Sequence, residues 1–207
     1  MKSAIAFVLT MSVSAAASAV PALDFIIDGD TFSQPFSITN SSDAGEKVTR
    51  FQLDLRPTNS ICYDPASDSN CNGSIGVSFG AVGSTGATTG LVSGNVTDAP
   101  GGIAAWDFLD ILFSDFDAGE TFSWDIDVDS YLSTATVFGD EMIGASAIVD
   151  FSSGVRLLGE LQAVAGNRDA AAFTVVGRTT VPVPEPSTLA LLGLGLLGLG
   201  ASRKRKA

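Results

Sequence analysis

The most constraining stretch of this sequence is Thr121–Asp129. Phe122, Trp124, Ile126 and Val128 share one parity there, and Ser123, Asp125, Asp127 and Asp129 share the other. Successive side chains of a strand point to opposite faces, so this period of two specifies a β-strand with one apolar and one polar face. Arg50–Leu55 repeats the pattern, with Phe51, Leu53 and Leu55 on one face and Pro57 closing the run.

Similar short runs recur along the chain, separated by Gly, Asp, Asn and Ser. They predict strands at Leu23–Ile27, Phe32–Thr39, Ile75–Phe79, Thr89–Val96, Ile111–Phe116, Thr134–Phe138, Gly144–Phe151, Val155–Gln162 and Ala171–Arg178. Between residues 20 and 181 there are 12 Phe, two Trp and two Tyr to fill a core. The expected fold is all-β, a β-sandwich of jelly-roll or Ig-like type. Ala104–Phe113 carries a competing helical spacing through Ala105, Leu109 and Leu112. The Gly-rich stretch 72–102 reads either as bulged edge strands or as a loop.

Both ends differ from this body. Met1-Lys2-Ser3 precedes an apolar run from Ala4 to Val13 and the small-residue site Ala17-Ser18-Ala19. That is the layout of a secretory signal peptide over residues 1–19, cut by signal peptidase after Ala19 or, as second choice, after Ala22. The other end runs Val183-Pro184-Glu185-Pro186, then an apolar stretch Leu189–Ala201, then Arg203-Lys204-Arg205-Lys206. The prolines hold an extended segment that a protease can thread. The apolar stretch can enter a bilayer, and the basic cluster would stay on the cytoplasmic side.

This tail, residues 182–207, resembles the PEP-CTERM sorting signal of Gram-negative bacteria. The resemblance implies recognition by exosortase, transient insertion in the inner membrane, processing near Pro-Glu-Pro, and delivery to the cell surface or its matrix. It also implies an association with exopolysaccharide and biofilm. Phe116–Phe122, together with the Asp125-Asp127-Asp129 strand and Gly144-Ala145, looks like β-rich domains found in such sorted proteins. The organisation expected is therefore a leader at 1–19, a β-domain at 20–181 and a sorting tail at 182–207.

Charge and composition narrow the chemistry. The chain has no histidine, which removes Ser-His-Asp triads, Cys-His dyads and histidine metal sites. The body carries six basic against 22 acidic residues, and nucleic acid phosphates would be repelled by it. No Lys or Arg lies between Arg56 and Arg156, where 14 carboxylates fall. That stretch reads either as a solvated acidic surface or as a collector of divalent cations. Asp125, Asp127 and Asp129 are the candidate Ca²⁺ ligands, with Asp115, Asp117 and Glu120 as additional donors. The triplet opens like an EF-hand loop but lacks that loop's Gly and Glu.

Cys62 and Cys71 are nine positions apart around turn-forming residues, the pattern of a disulfide in an exported protein. Trp124 alternates with core residues; Trp106 reads either as core packing or, as the better candidate of the two, as an exposed sugar platform. Paired carboxylates could hydrolyse glycosides, but in so acidic a chain pairs are uninformative. The reading is a non-enzymatic structural or adhesive surface protein, with a carbohydrate-binding module as alternative and a glycoside hydrolase third.

Overall fold

The computed structural model describes residues 20–43, 45–65, 71, 76–97 and 106–180. The described residues include twelve strands: β1 (Leu23–Asp28), β2 (Phe36–Asn40), β3 (Val48–Asp54), β4 (Ile61–Tyr63), β5 (Gly80–Ala81), β6 (Leu91–Thr97), β7 (Phe108–Phe116), β8 (Thr121–Asp125), β9 (Val128–Ser130), β10 (Ser146–Phe151), β11 (Val155–Val164) and β12 (Asn167–Thr180). A single turn of helix, α1 (Thr85–Thr88), lies between β5 and β6. The protein is all-β. Ten strands form one antiparallel sheet in the order β5-β8-β2-β1-β12-β11-β10-β3-β7-β6, and β4 and β9 form a separate ribbon.

The large sheet doubles over on itself. β1 pairs with β12 only through Ile26–Ala172, Ile27–Ala171 and Asp28–Ala170. Beyond that short seam β12 continues beside β11 to Thr180. Aromatic contacts then connect strands that are distant in the sheet order. Phe25 of β1 meets Phe51 of β3 at a centroid distance of 5.2 Å, and Phe113 of β7 meets Phe122 of β8 at 5.0 Å. Trp124 sits at the middle, stacked between Phe36 (5.5 Å) and Phe122 (5.6 Å) and wholly buried. Two facing layers are thus joined along one side, as in a sandwich whose corner strand serves both sheets.

On the opposite side β5 and β6 are the two ends of the sheet. Side-chain packing closes them. Phe79 lies over Gly94 so closely that a Cβ there would fall 2.0 Å from the ring. Glycine is required by that approach, since any side chain would occupy the space of the phenyl ring.

Several sequence expectations shift for local reasons. β2 starts at Phe36 rather than Phe32, because the Asp30 carboxylate accepts from Phe32 N–H and Ser33 Oγ and holds a turn there. Residues 76–79 are not a strand, and pairing begins at Gly80. Residues 134–138 contribute only single bridges, Thr136 to Asp129 and Phe138 to Asp30. The helical alternative at 104–113 gives way to strand β7 from Phe108, whose alternate residues Leu109, Ile111 and Phe113 are buried.

Among the described residues, most cations are committed to ion pairs. Arg50 forks onto Asp110 across β3 and β7, Arg156 onto Asp150 across β11 and β10, and Arg56 onto Asp54. Lys47 bridges Asp115 (2.6 Å) and Asp117 (2.7 Å), which raises its pKa through those two hydrogen bonds.

Candidate functional site

The alternation that defines Thr121–Asp129 breaks after Asp125. Ile126 and Asp127 form a step by which the chain leaves the large sheet and enters the β4–β9 ribbon. At that step both parities are enclosed, with Ile126 2% and Asp127 3% exposed. Backbone bonds fix the step. Asp127 N–H donates to Val77 O (3.1 Å), Asp64 N–H donates to Asp127 O (2.9 Å), and Val77 N–H donates to Asp64 O (3.0 Å). The 64 and 77 segments therefore cover the face on which Asp127 lies.

The ribbon brings the remaining parts together. Its register pairs Ile61 with Ser130, Cys62 with Asp129 and Tyr63 with Val128. Asp64 follows directly after Tyr63 and is wholly buried. Carboxylate oxygens of Asp64, Asp127 and Asp129 lie within 4.8 Å of one another. Cys62 and Cys71 form a disulfide with Cα atoms 6.1 Å apart, and Cys71 Sγ lies 3.5 Å from the Tyr63 carbonyl oxygen. The crosslink thus braces the strand that delivers Asp64.

The electrostatics follow from this crowding. Burial pushes the Asp127 carboxyl up to about 7, helped by the charges of Asp129 and Asp64 and then Asp30, while the Val128 N–H opposes it. Burial likewise pushes Asp129 up to about 6, followed by its hydrogen bond with Asp64 and the Asp64 charge. Asp129 Oδ2 is buried without a hydrogen-bond partner among the described residues. None of the described ion pairs includes Asp127 or Asp129. The Tyr63 phenol, whose hydroxyl donates to Leu53 O, is raised well above its ordinary range, first by burial and then by the Asp54 and Asp107 charges.

Carboxylate oxygens at this spacing suit one hard cation. Two oxygens each 2.3–2.6 Å from Ca²⁺ are at most ~5 Å apart, and an all-oxygen donor set is what such ions take. The structure therefore joins two of the three sequence candidates, Asp127 and Asp129, with Asp64. Asp125 stands outside the group, exposed at the end of β8 and paired in register with Gly80. The proposed additional donors also lie elsewhere. Asp115 and Asp117 hold Lys47, and Glu120 Oε2 accepts from Asp117 N–H. Asp64 was hidden in the sequence because it comes from the end of another strand, just past β4; its position two residues beyond Cys62 was the available clue.

Trp106 is 37% exposed and holds a left-handed backbone (φ 73°), a conformation uncommon for a bulky residue. Its carbonyl accepts from Tyr63 N–H at 2.8 Å, which places it beside the same ribbon.

The sorting residues Val183, Pro184, Glu185 and Pro186 and the cluster Arg203, Lys204, Arg205 and Lys206 lie outside the described residues, as does the leader at 1–19. β12 ends at Thr180, directly before them. Residues 182–206 match the family model of the PEP-CTERM protein-sorting motif. The tail is a PEP-CTERM motif. The PEP-CTERM motif implies export, membrane-anchored transit and exosortase as the processing partner. No curated protein and no solved structure matches the chain. Among the described residues no helix is long and apolar enough to cross a membrane, and the apolar stretch Leu189–Ala201 lies outside them.

Proposed function

We propose that this is a structural, non-enzymatic protein of the cell surface or extracellular matrix, delivered by exosortase and associated with extracellular polysaccharide. The observation that carries the reading is the junction between domain and tail. The PEP-CTERM match begins at residue 182, two residues after the last paired strand ends at Thr180. Processing near Pro184–Ser187 lies beyond the last described strand, so the described strands all stay with the cargo. Its interior is filled by aromatic side chains, which suits a durable module outside the cell. We assign the Asp64–Asp127–Asp129 cluster to a structural divalent cation, Ca²⁺ by its donor chemistry, that fastens the ribbon to the sheet.

A carbohydrate-binding role is the second reading, favoured by the half-exposed Trp106 with its unusual backbone. The test follows the protein in cells producing exopolysaccharide. Wild type should fractionate with the surface or matrix, with a new C-terminus near residues 184–187. A variant with Pro184 and Pro186 changed to Ala should remain with the inner membrane. Equal distribution of the two overturns the sorting role, and loss of matrix association in Trp106→Ala alone selects the carbohydrate-binding reading.

A further inference from the structure

The first described residue, Val20, is 55% exposed, and the chain is pinned immediately after it. Val20 N donates to Asp43 Oδ2 at 3.1 Å, and Asp43 N–H donates back to Val20 O at 3.3 Å. Pro21 is buried and its carbonyl accepts from Arg178 Nη2 at 3.1 Å. Ala22 N–H donates to Ser42 Oγ (2.8 Å), which donates to Ala22 O (3.0 Å). Five hydrogen bonds thus hold residues 20–22 before β1 begins, and the chain turns from exposed to buried between Val20 and Pro21.

We propose that Val20 is the mature N-terminus and that its new α-ammonium docks on the Asp43 carboxylate. The inference rests on the exported reading above. A leader peptidase hydrolyses the Ala19–Val20 amide. Water adds across the C–N bond, the released leader leaves with a carboxylate at Ala19, and Val20 nitrogen departs protonated. A neutral peptide N–H already directed at a carboxylate becomes a charged donor to the same oxygen. Charge-assisted hydrogen bonds are roughly twice as strong as neutral ones. The free ammonium therefore makes a stronger contact with Asp43 than the amide N–H it replaces. Cleavage after Ala22, the second site compatible with the sequence, would instead discard all five bonds and free the buried Leu23.

The test uses the full chain exported with its own leader and purified in detergent. N-terminal sequencing should read Val-Pro-Ala. Selective acetylation of the α-amine should lower the melting temperature of the wild type by ~2 °C, the scale of a partly exposed ion pair. The same acetylation should leave Asp43→Asn and Asp43→Ala unchanged. A start at Leu23, or an equal acetylation effect in all three proteins, overturns the proposal. A chain that keeps residues 1–19 and stays in the cytoplasm defeats the exported reading itself, and with it the proposal.

Discussion

Cys62 and Asp129 are register partners across the β4–β9 ribbon. The disulfide half-cystine and one carboxylate of the acidic triad are therefore set by the same pair of backbones. Asp64 follows two residues after Cys62, so the crosslink and the triad share one scaffold. Packing, redox state and ion binding meet in a ribbon only three residues wide on each strand.

That shared scaffold makes the disulfide a condition for the triad. Thiol labelling of the native, unreduced protein should find no free cysteine. Closing a loop this short contributes ~2–3 kcal/mol by loop-entropy scaling. Cys62→Ala/Cys71→Ala should melt lower by a corresponding amount. It should also lose most of its response to calcium, because Asp64 is no longer braced beside Asp129. A full calcium response in the double variant would separate the two features.

Calcium itself should stabilise the folded domain. At affinities on the order of 10⁻³ M, as in extracellular modules, about 10 mM Ca²⁺ contributes ~1–2 kcal/mol. Calorimetry should show a melting temperature ~3–6 °C higher. Asp127→Asn and Asp64→Asn should abolish most of the gain, and Asp125→Asn should retain it. An undiminished gain in Asp127→Asn would reduce the effect to charge screening.

The pH dependence without metal has a definite sign. Asp127 and Asp129 are raised to about 7 and about 6 from 3.8, so the folded state binds more protons than the unfolded one between these values. Stability therefore falls as pH rises from ~4 through ~7. Melting in chelator should be higher at pH 5 than at pH 8, and Asp127→Asn should flatten that slope. Calcium binds the ionised carboxylates, so it should restore stability most at pH 8. A wild-type slope identical to that of Asp127→Asn would remove the triad as its source.

The closing side of the sandwich depends on Gly94. Even the methyl group of Gly94→Ala would meet the Phe79 ring, whose nearest atom is 2.0 Å from the added carbon. Overpacking of this kind costs ~1–3 kcal/mol, read as a lower denaturation midpoint. Phe79→Ala in the same chain should recover part of the loss contributed by the clash, since the ring that collides is gone. Independent, additive losses would show that the two residues do not oppose each other.

The PEP-CTERM tail was fully legible in the sequence, because a sorting peptide is read as a linear string and needs no fold to be recognised. Strand character was legible too, since period-two burial leaves its mark at Phe122, Trp124, Ile126 and Val128, all of them buried in the fold. The Cys62–Cys71 pairing followed from two cysteines a short turn-rich stretch apart in a chain read as exported. What the sequence could not specify is where a strand leaves one sheet for another. Parity assigns Asp125, Asp127 and Asp129 to one polar face, yet the step at Ile126–Asp127 buries Asp127 and leaves Asp125 exposed. The partner Asp64 arrives through β4, more than sixty positions away in the chain. Local alternation is set by the geometry of a single backbone. The meeting of three carboxylates is set by long-range register between two, and only the tertiary structure decides that.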